Sequence, residues 1–208
     1  MIIVNDFIAG FSGQFAKYNH LSPWQLINDL PAILMKLISG LDSNYIITDG
    51  IAIHTTAIVE EGAVLKAPIV IGEHCFIGAH AYLRGGVYLA NSGKIGTGCE
   101  IKTSIIFNNS SIAHFNFIGD SILGSNVNFE AGAITANHYN ERENKMIPVV
   151  YHSAILQTGV VKFGSLVGDY CKIGANAVLS PGTLLLPGSI VKRLELIDQV
   201  SDLNSAGR

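Results

Sequence analysis

One stretch of the chain, residues 102–145, concentrates the residue types that could do chemistry. His114 lies there between Lys102 and a run that is rich in asparagine, acidic residues and a further lysine. An imidazole titrates near neutral pH, so His114 is suited to take a proton from an ammonium nucleophile before that nucleophile attacks a thioester. A histidine at the corner of a regular fold is also often only a solvated surface group. The hypothesis therefore depends on which elements position His114 and what lies beside it.

The elements follow from a repeat with a period of six residues. Aliphatic residues recur at every sixth position from Ile53 to Ile101 and again from Val161 to Val191. The residue four places after each is usually small or β-branched, as in Ala57, Ala63, Ile69, Cys75, Ala81, Val87, Gly93, Cys99, Ile105, Ser165, Cys171, Ala177, Thr183 and Ser189. An amphipathic helix cannot keep a strict period of six, whereas a three-sided coil with one short strand per side does. The aliphatic residues should point inward, and the strands of successive coils should pair.

Three segments depart from this rhythm. IGDSI, around Ile118, is a five-residue piece, and residues 136–160 form a polar, Asn-rich excursion of the kind that is usually functional or disordered. Before the repeat, Ser22 and Pro23 predict a helix start, and Pro31 divides the following apolar stretch. We therefore predict a helical segment over residues 1–50, with two short helices forming a lid on the open first coil. A β-helix over residues 51–192 and a tail over 193–208 would follow.

The composition argues against several other functions. The 208 residues are 49% hydrophobic and 14% charged, so the chain can bury a core and is not disordered. The net charge is −3 with no basic tract, which argues against a nucleic-acid partner. There is no apolar run of about eighteen residues, and the start lacks the basic segment of a secretory signal. We expect a cytoplasmic protein with no membrane partner.

A metal site is not expected. Cys75, Cys99 and Cys171 show no CxxC spacing and share one position of the repeat, so we interpret them as small apolar fillers. His74 and His80 are six residues apart and should lie on different sides of the coil, where they cannot share an ion within one chain. A zinc enzyme is therefore a minor alternative.

Repeat units such as IGAHAY, IGTGCE, VGDYCK and IGANAV resemble those of the hexapeptide-repeat acyltransferases. The resemblance implies an all-β fold, a left-handed parallel β-helix, here with a short N-terminal helical cap. Parallel crossovers are normally right-handed, so the hand is implied by the resemblance alone.

A narrower resemblance covers roughly residues 50–190 through the pieces YLRGG, EIKTS, AHFNFIGD and NVNFEAGAITAN. These pieces are similar to the acetyltransferase domain of the family that joins glucosamine-1-phosphate N-acetyltransferase to N-acetylglucosamine-1-phosphate uridyltransferase. The resemblance assigns the catalytic base to His114 and sugar-phosphate binding to Arg84, Lys102, Asn128 and Asn137. A further basic residue of the family corresponds at best to Lys145, and two family tyrosines are replaced by Phe117 and His138.

The implied protein is a homotrimeric N-acetyltransferase of UDP-N-acetylglucosamine-type metabolism, with active sites between chains. Its co-substrate would be acetyl-CoA, its acceptor an amino-sugar phosphate or related sugar nucleotide, and it would need no metal. Lys162 and Lys172 are candidates to meet the CoA phosphates. Only about fifty residues precede the repeat, so we expect no uridyltransferase activity. Two alternatives stay open: a non-catalytic sugar-nucleotide-binding or trimerisation module associated with a nucleotidyltransferase, and an acyltransferase for an unrelated amine or hydroxyl.

Overall fold

Short parallel strands stack in columns in the computed structural model, which describes residues 2–206 and the side chains up to residue 203. Three helices accompany the strands: α1 (Phe11–Phe15), α2 (Pro23–Ile38) and α3 (Gln199–Ala206), with 3-10 turns at Val4–Asp6 and Ala16–Tyr18. The strands are β1 (Tyr45–Thr48), β2 (Ile51–His54), β3 (Ile58–Val59), β4 (Val64–Leu65), β5 (Ile69–Ile71), β6 (Phe76–Ile77), β7 (Tyr82–Leu89), β8 (Lys94–Ile95), β9 (Glu100–Ile106), β10 (Ser111–Ile112), β11 (Phe117–Gly119), β12 (Ile122–Leu123), β13 (Asn128–Phe129), β14 (Ile134–Thr135), β15 (Pro148–Tyr151), β16 (Ala154–Gln157), β17 (Ser165–Val167), β18 (Lys172–Ile173), β19 (Val178–Leu179), β20 (Thr183–Leu185), β21 (Ile190–Val191) and β22 (Leu196–Ile197).

The columns form the three faces of a prism, and we name them by their strands. Face A contains β2, β5, the second half of β7, the second half of β9, β12, β17 and β20. Face B is a 7-stranded sheet with the order β21-β18-β13-β10-β8-β6-β3. Face C contains β4, the first half of β7, the first half of β9, β11, β14, β19 and β22. The predicted all-β parallel helix is therefore confirmed.

The interior of the prism is the first hydrophobic core. Most aliphatic residues of the repeat lie there in ladders, and Ile77, Ile101 and Leu179 have no exposed surface. The expectation that Val161 points inward is wrong: Val161 is 46% exposed, because the repeat resumes only with Val167 in β17. The three cysteines lie in the same core as free thiols, as predicted. Each thiol donates to a corner carbonyl one coil away, for example Cys75 to Ala90 O at 3.0 Å, which satisfies the thiol without a metal.

The spacing between successive inward residues shortens from six to five at two places. The sequence predicted one of them. The step from Ile118 to Leu123 is five residues, as expected, and the step from Ile101 to Ile106 one coil earlier is also five. The period of six predicts Ile105 in the small corner position. Ile106 is instead the inward residue, and Ile105 points outward into a second core.

The corner between faces B and C alternates glycine with larger residues from Gly62 to Asn176, and Leu194 follows on the last coil. The residues with positive φ there are Gly62, His80, Gly98, Phe115, Gly132, Asn176 and Leu194. A Cβ at Gly98 would lie 2.7 Å from the ring of Phe115, so glycine leaves the space in which that ring packs. His74 lies on the corner between faces A and B, so it is on a different side from His80, as predicted.

The N-terminal segment packs along face A, so the predicted lid on the first coil is wrong. Outward residues of face A, from Ala52 to Leu184, form the second hydrophobic core together with apolar residues of α1 and α2. The prediction of two helices is also wrong, because α2 continues through Pro31. Pro31 packs against Gly86, where an added Cβ would lie 3.3 Å from the proline ring, and this close contact fixes the helix on the face.

Polar residues fix the start of α2 and attach the N-terminal segment to the prism. Ser22 is the N-cap, and its N–H donates to Gln25 Oε1 at 2.9 Å, as in a capping box, with Pro23 at the first helical position. The Asp169 carboxylate accepts hydrogen bonds from Ala9 N–H at 3.0 Å and Ser125 N–H at 2.7 Å. This buried carboxylate therefore ties the N-terminal segment to the prism.

The polar excursion folds into a hairpin between β15 and β16, with Val149 opposite Leu156. Tyr139, Ile147, Val149 and Phe163 bury their side chains in the second core. The repeat itself continues to β22, where Ile197 occupies the position six residues after Val191. Within residues 2–206, no helix is both long and apolar enough to cross a bilayer.

Candidate active site on face C

The corner between faces C and A carries a buried charged cluster. Lys102 ends the face C half of β9, and Asp120 follows β11 on the next coil. Lys102 Nζ lies 2.5 Å from Asp120 Oδ2, and the exposed fractions of the two side chains are 16% and 7%. The Nδ2 of Asn137 donates to the same Asp120 oxygen. Three successive coils thus join a lysine, a carboxylate and an amide.

Arg84 extends the cluster by one coil. It pairs in register with Lys102, and its guanidinium lies 2.6 Å from Glu100 Oε1 and 5.8 Å from the centroid of the Tyr82 ring. This ion pair is more open, because the two side chains are 37% and 34% exposed. Both cations that the sequence predicted at this corner are therefore neutralised by carboxylates.

β11 connects the charged cluster to the rest of face C. Phe117 points outward, and a Cβ at Gly119 would lie 2.7 Å from its ring and 2.9 Å from Asn137 Nδ2. Gly119 therefore leaves the space in which the Phe117 ring and the Asn137 amide come together. His138 Nδ1 lies 3.2 Å from Asn137 Oδ1, so both residues that replace family tyrosines lie beside Asn137 or touch it.

His114 lies at the other edge of face C, on the corner shared with face B. It is exposed, and so is the adjacent Phe115. The backbone carbonyl of His114 accepts two hydrogen bonds. One comes from Gly132 N–H at 3.0 Å and the other from Asn116 Nδ2 at 3.2 Å. His114 is therefore open to solvent on this corner, and the strand β11 separates it from Lys102.

Asn128 does not join this cluster. It is exposed on face B, where its strand pairs in register with Lys172, and both residues line a groove of about 480 Å³. Arg193 and Glu130 form an ion pair in the same groove at 2.8 Å. Hydrogen bonds from Arg193 lower the pKa of the Glu130 carboxyl. Face B therefore presents Lys172 and Asn128 together, away from Lys102.

Lys162 and Lys172 lie on different sides of the prism. Lys162 lines a cleft of about 390 Å³ together with Asp120, Thr103 and Asn28, at the corner between faces C and A. Lys145 is exposed in the excursion. Lys162 is thus beside the acceptor residues predicted from the sequence and distant from the other predicted CoA contact.

Two residues of the cluster, Asp120 and Gly119, are not predicted by the sequence patterns. Asp120 is one coil from Lys102, so their spacing in the sequence pointed to a pair, but the shortened step around Ile118 obscured which corner the aspartate would occupy. Gly119 resembled an ordinary corner glycine. Among the residues that the structure describes, no group of three or more His, Cys, Asp or Glu side chains could hold a metal ion.

The repeat and the prism together define a hexapeptide-repeat β-helix protein. A family model described as the GMPPB C-terminal domain matches residues 47–140. The bifunctional protein GlmU of Methanococcus maripaludis (strain C5) is 34% identical over 182 residues, which cover 85% of this chain and 43% of that protein. The bifunctional sugar-1-phosphate nucleotidylyltransferase/acetyltransferase of Sulfurisphaera tokodaii is 31% identical over 184 residues, with shares of 82% and 45%.

These relatives confirm the resemblance to the hexapeptide-repeat acyltransferases and to the acetyltransferase part of the bifunctional family. The chain spans less than half the length of the curated relatives it matches. Among solved structures, a putative acetyltransferase from Desulfovibrio desulfuricans G20 gives a TM-score of 0.38 at 18% identity, covering 88% of this chain and 31% of that chain. A score at that level supports no further inference.

Proposed function

We propose that this chain is an acyltransferase that uses acetyl-CoA to acylate the amine of an amino-sugar phosphate or a related sugar nucleotide. The observation that carries the proposal is the strip of residues across face C, which has the exposed His114 at one corner and the Phe117 ring, the Asn137 amide and the ion-paired Lys102 towards the other. The acetyltransferase named in the Sulfurisphaera tokodaii relative supports the same reaction class.

His114 would serve as the general base. It accepts a proton from the acceptor amine as the amine nitrogen attacks the thioester carbonyl, so that a C–N bond forms and the C–S bond breaks. The proton then passes from the imidazole to the departing thiolate, which leaves His114 ready for another cycle. An exposed imidazole on a corner whose backbone is fixed by two hydrogen bonds suits this role.

Arg84 and Lys102 would bind the phosphate at the far edge of face C, and Asn137 would donate to the sugar. Charge-assisted hydrogen bonds from a guanidinium and an ammonium suit phosphate oxygens. Glu100 and Asp120 hold these two cations in place and also neutralise them, so phosphate binding depends on the donors that each cation retains. Lys145 stays a predicted acceptor contact in the excursion.

Asn128 and Lys172 support a site shared between protomers. They lie on face B, so one chain cannot bring them to the Lys102 cluster. Face A is covered by the N-terminal segment, which leaves faces B and C for assembly. In a homotrimer with face B of one protomer opposite face C of the next, Lys172 and Asn128 would face the acceptor and acetyl-CoA.

The test is thiol release from acetyl-CoA with glucosamine 1-phosphate as acceptor, comparing wild type with His114→Ala. Turnover should fall by about a hundredfold or more, as expected for loss of a general base. His74→Ala, on the corner between faces A and B, is the matched control and should keep the wild-type rate. Equal rates for wild type and His114→Ala would rule out His114 as the base.

The alternative is a module that binds a sugar nucleotide without turnover. Phe117 and His138 beside Asn137, in place of family tyrosines, favour it, because the site then lacks two hydroxyl donors. His114→Gln separates the two functions. An enzyme loses turnover in this variant, whereas a binding module keeps its affinity for the sugar nucleotide.

A further inference from the structure

The cleft beside Asp120 is larger than a phosphate requires. Its volume is about 390 Å³, within the range of roughly 300–1,000 Å³ that small-molecule pockets occupy. Asp120 and Thr103 supply one wall from the corner between faces C and A. α2 and the end of the excursion supply the others. The cleft therefore begins where the strip across face C ends.

Apolar, amide and ammonium side chains line the walls of this cleft. Val160 and Val161 form an apolar surface over the buried Ile27, and Val161 is 46% exposed. Asn28 presents an amide, whose Nδ2 donates to Asp29 Oδ1 at 3.1 Å and leaves Oδ1 without a partner within residues 2–206. Lys162 supplies an ammonium group. An apolar surface with an amide and a cation suits a heterocyclic base attached to a phosphate.

Lys162 also differs from the other cations at this corner. Arg84 and Lys102 are each paired with a carboxylate, whereas Lys162 has no ion pair within the described part of the chain. A first phosphate at Arg84 and Lys102 would compete with two carboxylates. A second phosphate at Lys162 would meet an ammonium group that is not neutralised.

From this arrangement we propose that the acceptor is a nucleoside-diphosphate amino sugar, and that this cleft binds its distal phosphate and nucleoside. Lys162 binds the phosphate, the apolar wall contacts the base and ribose, and Asn28 hydrogen-bonds to the base. The N-terminal segment thus contributes to specificity, besides covering face A. The inference rests on the proposed function, because it extends the acceptor site of that function.

Calorimetric titration of the intact chain with UDP, without acetyl-CoA, tests the cleft directly. Lys162→Ala should raise the dissociation constant of UDP about tenfold or more, which corresponds to about 1.4 kcal/mol. Val161→Asp should raise it as well, since it places a negative charge beside the phosphates. Lys36→Ala and Met35→Asp are matched controls on exposed positions of α2, and they should leave UDP binding unchanged.

Three outcomes would overturn the inference. UDP and GDP could fail to bind at millimolar concentration, Lys162→Ala could bind UDP as tightly as wild type, or inorganic pyrophosphate could bind as tightly as UDP. Thiol release with glucosamine 1-phosphate, measured on the same preparations, keeps the two proposals apart. Turnover without UDP binding refutes only the proposal that the cleft binds a nucleotide. UDP binding that depends on Lys162, without turnover on any amino sugar, supports the nucleotide cleft and refutes the proposed acyltransferase activity.

Discussion

Replacing Asp120 with asparagine tests the buried cluster at the corner between faces C and A. The substitution keeps the shape of the side chain and removes its charge. It leaves Lys102 without its carboxylate and places an amide opposite the Asn137 amide, which donates to Asp120 in the wild type. The substitution therefore tests whether the buried charge of Asp120 stabilises this corner.

The expected magnitude follows from burial. Removing one partner of a fully buried ion pair costs about 3–5 kcal/mol, because the remaining charge is left uncompensated. The Lys102 side chain is 16% exposed, so water recovers part of this cost. We expect Asp120→Asn to lower the free energy of unfolding by about 2–3 kcal/mol, or Tm by about 5–10 °C for a chain of this length.

Glu100→Gln is the matched control on the neighbouring coil. Its ion pair with Arg84 is about one third exposed on both sides, and pairs near the surface contribute about 0–1 kcal/mol. Urea unfolding should be followed by circular dichroism at one fixed protomer concentration, since association shifts apparent stability. Adding Lys102→Met to Asp120→Asn should restore more than about 1 kcal/mol relative to additivity. Equal losses for Asp120→Asn and Glu100→Gln would refute the claim that burial makes this pair special.

Three further predictions follow from burial and packing. Ile173→Asp should cost more than about 4 kcal/mol because it buries an unpaired charge inside the prism, while Ile3→Asp at a 50% exposed position of the N-terminal segment should change the urea midpoint little. Gly119→Ala should displace the neighbouring ring and amide and raise KM for the acceptor, whereas Gly10→Ala, with nothing within 4 Å of the added Cβ, should leave KM unchanged. Burial raises the pKa of the Cys75 thiol from 9.0 to about 11, so the unfolded chain loses this proton first as pH rises. Stability should therefore fall between those values, by about 1 kcal/mol at pH 10, and Cys75→Ala should make that fall smaller; an equal fall in both proteins would contradict the assignment.

The interior of the prism was predictable because the inward positions repeat one residue type. Aliphatic residues at a period of six define the faces, and three cysteines share one corner position. The step at Ile101 was not predictable, since Ile105 and Ile106 are both aliphatic and either could point inward. Only the pairing of Ile106 with Leu89 and Leu123 distinguishes them.

The positions of the candidate site residues were only partly predictable from the sequence. The spacing between Arg84 and Lys102 places them on adjacent coils, and they are paired in register. Nothing in the spacing indicates that the N-terminal segment would lie against face A, because an apolar helix can cover either an open end or a side. The outward apolar residues of face A, such as Ile122 and Leu166, were the missed signal, since an exposed face would not repeat them.

In the proposed function, acceptor binding and proton transfer would take place at opposite edges of face C. His114 lies at one edge of face C and Lys102 at the other, and the three residues of β11 between them span about 10 Å at the usual rise per residue. Long side chains at both ends can bridge one monosaccharide across that span. In the proposed function, the phosphate and the reacting amine would therefore be held by different corners of the prism. Because Asp120 fixes the first corner and the backbone bonds of His114 fix the second, changes at the charged cluster should weaken acceptor binding, whereas changes at His114 should slow the chemical step.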